Sequence, residues 1–276
     1  MKYISLTLQY LFKLDNGKRF LALFLFALPP GLVLSYYFPI TGYLDWFVNY
    51  SGNYASYSDL WLSLVERDTL KIGLLILGYI LVIFSVSAIT TLTVRSARIG
   101  KFQVKSVFYL INENFFPSFS LMTVFLISLI VFQSLLCLFF FLWQIIPGIT
   151  VGYVLAIFTA VIGLLIFIYT LAGASLWLPI MSINGLKPFK ALAVSYYKTR
   201  KEKNKLFTAY LIAFAVIIAL GFVAYLFAKV WYVKWLINAL NYTMAALFFT
   251  VMSILTLFEI DGITREDLVK RPYLRR

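Results

Sequence analysis

The chain has 276 residues, of which 62% are hydrophobic, 19% aromatic and only 13% charged, and its formal net charge is +13. Soluble domains hold about 45–50% apolar and about 25% charged residues, so this composition excludes a soluble enzyme, a secreted disulfide scaffold, a disordered tail and a collagen. Histidine is absent, which withdraws the commonest general base, proton shuttle and metal ligand. The single cysteine, Cys137, lies in QSLLCLFFF and reads as a small apolar side chain, not as a thiolate in an electropositive pocket.

In chain order, six apolar runs are expected to cross a bilayer: about 20–39, 72–94, 118–143, 149–173, 206–228 and 236–258. Each matches a hydrocarbon core of about 30 Å at 1.5 Å rise per residue, and backbone groups in lipid must pair within the chain, so the runs are read as helices. The expected fold is all-α, a polytopic helical membrane protein forming a single membrane domain over 1–276. Pro29-Pro30 is expected to kink or break the first span. The fourth run stays apolar to Met181 and is expected to break near Pro179, after which the chain turns along the interface. The first span has a basic flank but no small-x-small site after it, so it reads as a retained span, not a cleaved leader.

Charge sets the expected orientation. With both termini in the cytoplasm, twenty of the 24 Lys and Arg residues and seven of the eleven Asp and Glu fall inside, leaving the outer loops neutral. That bias is the positive-inside signal, and both termini of the multi-pass chain are expected to face the cytoplasm. Trp46, Trp61, Trp143, Trp231 and Trp235 mark the outer ends of spans and Trp177 an inner one, as an aromatic belt does. In the outer loop 41–70, Leu60, Trp61, Leu64 and Val65 share a helical face after Ser58-Asp59. Thr264 is read as the cap of a tail helix, with Asp267 three residues on.

A loose period of roughly 90–100 residues suggests an interfacial helix followed by two spans, three times over. The short elements are 3–20, 102–116 and 188–207. The third is the clearest: Pro188 starts a helix over about 188–200, and Phe189, Leu192 and Tyr196 form an apolar stripe. Such a helix lies on the inner membrane surface or docks on the ends of the spans.

The expected contacts of the basic face are Arg95, Arg98, Lys101, Lys105, Lys187, Lys190, Lys198, Arg200, Lys201, Lys203 and Lys205, with anionic lipid headgroups or a membrane-protein partner opposite them. The competing reading is that these charges are only the topology signal. The spans hold no ionisable acid or base, which argues against a proton-coupled transporter. Their polar content is uncharged: Ser87, Thr91, Gln133, Asn238 and Asn241 are the candidate intramembrane contacts, beside Ser85, Thr90 and Thr93. Each can equally serve by bridging helices or bonding its own helix carbonyls. No catalytic, cofactor or metal constellation and no nucleic-acid signature is found.

The segment LAGASLWLPIMSINGLKPFKALAVSYYKTRKEKNKLFTAYLI at 171–212 resembles the signature of a large group of uncharacterised bacterial integral membrane proteins. That group includes the membrane domain fused to some glycerophosphoryl diester phosphodiesterases. Pro179, Gly185, Ala191, Ser195, Tyr196 and Lys198 take the group's positions. The opening LTLQYLFKLDNGKRFLALFLFALPPGL is similar to the group's polar segment running into a Pro-Pro span. Tyr196 stands where the group usually has Trp, and Thr199 where Gly often follows the basic residue. The resemblance implies a six-span fold. It implies no phosphodiesterase activity, because no catalytic domain accompanies these residues.

Three readings follow: a non-enzymatic scaffold for lipids or partners on the basic face; a permease or lipid-handling transporter with Ser87, Thr91, Gln133 and Asn241 lining one cavity; or an enzyme in which Asp59, Glu66 or Glu113 meets a basic partner. The first is preferred.

Overall fold

A computed structural model describes residues 2–36, 56–58, 60, 69–100, 102–145, 149–227 and 229–266. Nearly all of this is helix: α1 (Lys2–Leu8), α2 (Lys18–Leu34), α3 (Thr69–Ile99), α4 (Ser106–Gln144), α5 (Ile149–Ala174), α6 (Trp177–Asn184), α7 (Pro188–Thr199), α8 (Lys203–Leu226) and α9 (Trp231–Ile260). Among the described residues, six helical segments are long and apolar enough to cross a membrane, which makes this an all-α, multi-span membrane protein. Most of the outer loop, including Trp61, Leu64 and Val65 of the helix expected there, lies outside the described residues, as do Lys101 and the tail from Asp267.

The bundle is organised around α9, which packs on α2, α3 and α8. Leu23 and Ala27 of α2, Ala88, Ile89 and Leu92 of α3, and Leu247, Val251 and Leu255 of α9 form the largest buried cluster. The α2–α9 approach is close because Gly31 has no side chain: a Cβ there would lie 2.7 Å from the Ala239 carbonyl oxygen. Small residues hold membrane helices together in this way, since lipid supplies no hydrophobic drive between them.

Two proline expectations are corrected. Helix α2 runs through Pro29-Pro30 to Leu34 without a break. Their missing N–H groups take the ladder donors from the Leu25 and Phe26 carbonyls, and the packing of α2 on α3 and α9 holds the helix through them. The break in the fourth run lies at Ser175-Leu176, ahead of Pro179, which sits inside the first turn of α6, where its missing N–H costs nothing. Likewise 102–116 is no separate element: from Ser106 onward it is the first part of α4, continuous through Pro117.

The break between α5 and α6 is closed by α7. Ser195 Oγ donates to the Gly173 carbonyl at 2.8 Å and accepts from the Leu176 N–H at 3.1 Å. Thr199 Oγ1 donates to the Ser195 carbonyl at 2.8 Å and stands 3.2 Å from the same Gly173 carbonyl, and Trp177 Nε1 donates to the Pro188 carbonyl at 2.8 Å. Helix α7 therefore docks by its small residues, Ala191, Ser195 and Thr199, all buried. Of the expected apolar stripe, Leu192 packs against the cluster of Leu176, Trp177 and Ala191, and Tyr196 lies on Gly173 and donates to the Thr170 carbonyl at 3.1 Å, whereas Phe189 is 86% exposed. The short hydroxyls pair the backbone at the break itself, and Tyr196 reaches one turn further back along α5.

Candidate functional site

One end of the bundle gathers α1, the start of α2, the end of α3, the start of α4, the turn between α5 and α6, α7, and the end of α9. It carries most of the polar chemistry and is called the polar end below. Arg19, in the first turn of α2, is 2% exposed. Its Nε bonds Asp15 at 2.6 Å, and its guanidinium lies 5.0 Å from the Tyr10 ring centroid and 5.8 Å from that of Phe102. Asp15 reaches this position through positive φ at Asp15, Asn16 and Gly17, which turns the chain sharply into α2.

Deeper in the bundle a polar seam joins α3, α4 and α6. Ser87 Oγ donates to the Ile111 carbonyl at 2.7 Å, and Thr91 Oγ1 donates to the Ser87 carbonyl at 2.8 Å. Asn114 Nδ2 donates to Thr91 Oγ1 at 2.8 Å, while its Oδ1 accepts from Ser182 Oγ. Asn114 is thus tied to one hydroxyl on each neighbouring helix.

Above this seam opens a cavity of about 230 Å³, lined by Thr91, Val94, Arg95, Arg98, Ile99, Leu110, Glu113, Asn114 and Ser182. Its walls are two helical stripes, 91-94-95-98 on α3 and 110-113-114 on α4, each at the three- and four-residue spacing that shares a face. Arg95, Arg98 and Glu113 make no ion pair among the described residues, so both signs of charge line one small space unspent.

The other expected contacts divide into two groups. Lys198 is committed to Asp261, with 2.6 Å to both carboxylate oxygens, which ties α7 to the end of α9. Lys205 pairs with Glu202 at 2.9 Å, and Lys203 lies 3.8 Å from the Tyr169 ring centroid. Lys105, Lys187, Lys190, Arg200 and Lys201 make no ion pair among the described residues.

The intramembrane polar residues do not converge. Thr91 lines the cavity, but Gln133 stands twenty positions beyond Glu113 on the same helix, about 30 Å along its axis. Asn241 Nδ2 donates to the Ile217 carbonyl at 2.9 Å, bridging α9 to α8. Gln133 Nε2 and Asn238 Oδ1 are buried without a partner. A shared cavity of Ser87, Thr91, Gln133 and Asn241 is therefore not formed.

The sequence reading missed Asn114 and Ser182, and it weighed Glu113 apart from Arg95 and Arg98. The signal was the matching stripes on α3 and α4, hidden by treating 102–116 as an element apart from the span. No group of three His, Cys, Asp or Glu side chains able to hold a metal ion occurs among the described residues. No family model, curated protein or solved structure matches the chain.

Proposed function

We propose that the protein is a non-enzymatic component of a bacterial cytoplasmic membrane, with the polar end and both termini in the cytoplasm, that gathers anionic lipid headgroups or a partner protein on its basic face. The observation that carries this is the uneven spending of charge. Four acidic residues each take one cation, Asp15–Arg19, Glu259–Lys2, Asp261–Lys198 and Glu202–Lys205, and a surplus of cations is left over. Around α7 the surplus is Lys187, Lys190, Arg200 and Lys201, beside Phe189 and Tyr197, which are 86% and 80% exposed. Exposed rings flanked by unpaired cations are the chemistry of a headgroup-facing surface, each basic residue contributing about 1 kcal/mol against anionic lipid.

The similarity of 171–212 to the six-span bacterial group supports this placement. An enzyme reading is weaker: Glu113 lines one cavity with Arg95 and Arg98, but a lone carboxylate near two guanidiniums lacks the second proton-transfer group that acid–base chemistry needs. The cavity favours the other alternative, a permease or lipid-handling transporter, by offering a headgroup-sized space.

The test is affinity purification in nanodiscs, read by quantitative mass spectrometry of proteins and lipids, against a Lys187→Gln, Lys190→Gln, Arg200→Gln, Lys201→Gln variant. Anionic lipid or a stoichiometric protein enriched by the wild type and lost in the variant is the expected result. Equal lipid and protein profiles would overturn it.

A further inference from the structure

The cavity between α3, α4 and α6 differs from the rest of the polar end in one respect: it holds an acid as well as bases, none of them neutralised by the other. If anionic lipid were its ligand, Glu113 would oppose it. An acceptor placed opposite two guanidiniums fits a ligand that carries its own cation a short distance from its anion. We propose that this cavity binds a zwitterion with a phosphate and a primary ammonium, the headgroup of an aminophospholipid, with the phosphate on Arg95 and Arg98 and the ammonium on Glu113. The inference rests on reading the polar end as headgroup-facing.

Four observations select this class. Guanidinium groups are planar forks suited to phosphate oxygens, and Arg95 and Arg98, one turn apart on α3, present two of them. Glu113 is an acceptor only, so it gains most from a group rich in N–H donors; a primary ammonium offers three and a quaternary one none. Pro117 adds to this, since it has no N–H to give the Glu113 carbonyl along the helix. The cavity, about 230 Å³, is smaller than the clefts of roughly 300–1,000 Å³ that hold drug-sized ligands, which suits a headgroup and not a nucleotide.

The remaining wall says where the rest of the molecule goes. Val94, Ile99 and Leu110 are the apolar lining, and Ile99 is 54% exposed. A lipid can thus lodge its headgroup against the Asn114 seam while its glycerol and chains leave over an apolar edge. Asn114, held from both sides by Thr91 and Ser182, keeps α3, α4 and α6 at the separation that leaves Glu113 and Arg95 apart.

The experiment uses the full chain in nanodiscs of equal parts phosphatidylethanolamine, phosphatidylglycerol and phosphatidylcholine, with retained lipid counted by native mass spectrometry. The wild type should retain one phosphatidylethanolamine at about tenfold preference over the other two, the scale of one hydrogen-bonded charge contact. Glu113→Gln should erase the preference, and Arg95→Gln with Arg98→Gln should abolish retention. The surface variant at Lys187, Lys190, Arg200 and Lys201 should keep the retained phosphatidylethanolamine while losing bulk anionic lipid, so the two proposals fail separately. Equal retention of phosphatidylglycerol by the wild type, or an unchanged preference in Glu113→Gln, would overturn the assignment. Displacement by millimolar O-phosphoethanolamine would overturn the lipid half of it and leave a soluble zwitterion as the ligand. Unfolded variants are recognised by thermal melting, and Glu113→Asp, which keeps the acceptor, should then retain the preference.

Discussion

Helices α9 and α5 are both long apolar helices in one bundle, yet 61% of the most apolar stretch of α9 is buried against 17% for the segment containing α5. The less apolar helix is the more buried. Helix α9 hides Asn238, Asn241, Thr243, Thr250, Ser253 and Thr256, whereas α5 turns Val151, Phe158, Val161, Ile162 and Ile166 outward. In water the ranking would be reversed. In lipid, apolar surface gains nothing by hiding, so polarity and small size decide which helix becomes the centre.

The largest test of that contrast is steric. Gly31→Leu on α2 would drive a side chain into the backbone of α9 at Ala239. We expect a loss of about 3 kcal/mol or more, read as collapse of the monodisperse peak in detergent and a large fall in Tm. Gly73→Ala on α3, where a Cβ meets nothing within 4 Å, should leave Tm level or slightly raised. Gly163→Ala on α5, with its nearest neighbours at 3.2 Å on Leu136 and Phe132, should fall between. Equal effects at Gly31 and Gly163 would remove the distinction between central and peripheral helices.

The second test sets one polar residue against another. Asn114 bonds a hydroxyl on each of two helices, so Asn114→Ala should cost about 1–2 kcal/mol in denaturant-mixture unfolding. Gln133 leaves its buried Nε2 unpaired, and Gln133→Leu should be neutral or stabilising. A penalty at Gln133 as large as that at Asn114 would show that burial and not pairing sets the cost.

These pairs also show what sequence can and cannot display. The six spans were legible because hydropathy and length report the solvent directly, and the helices cross where the runs lie. The docking of α7 was not. Its apolar stripe pointed to Phe189, Leu192 and Tyr196, of which Phe189 stays outside the contact, while Ser195 and Thr199 meet a backbone opened at Ser175-Leu176, and no pattern in 188–199 says where its partner's backbone is open. The cavity was half legible: Arg95 and Arg98 were on the basic face and Thr91 in the hydroxyl cluster, but Glu113 joins them only once 102–116 is seen as the start of a continuous α4. The burial of Arg19 was hidden as well. It depends on the rings of Tyr10, across the turn before α2, and of Phe102, far along the chain, folding over it.

A smaller effect is expected at the α5–α6 break. Ser195→Ala removes an acceptor for the Leu176 N–H and a donor to the Gly173 carbonyl. Thr199 still reaches that carbonyl, so the loss should be about 1 kcal/mol and local, seen as faster hydrogen exchange at Leu176 with Tm little changed. A global fall in Tm would mean that α7 supports the bundle instead of only closing the break.

The smallest effect concerns pH at the turn before α8. Glu202 pairs with Lys205 at 2.9 Å and accepts from Tyr3 Oη at 3.2 Å, tying α1 to α8. Hydrogen bonding from Lys205 holds the carboxyl below its ordinary value of 4.5, against a weaker opposing push from burial. Because the folded value is the lower one, the stabilisation is complete above 4.5 and disappears as pH falls through the folded value. Tm measured from about pH 6 down to about pH 3 should therefore fall more steeply in the wild type than in Glu202→Gln. The Glu202 side chain is 30% exposed and its partner more so, so salt should screen the difference, and high salt should bring the two curves together. Parallel curves at low salt would instead assign the α1–α8 tie to the packing of Tyr3 beneath α8, where it joins Ile168, Leu206 and Met252 in a buried cluster.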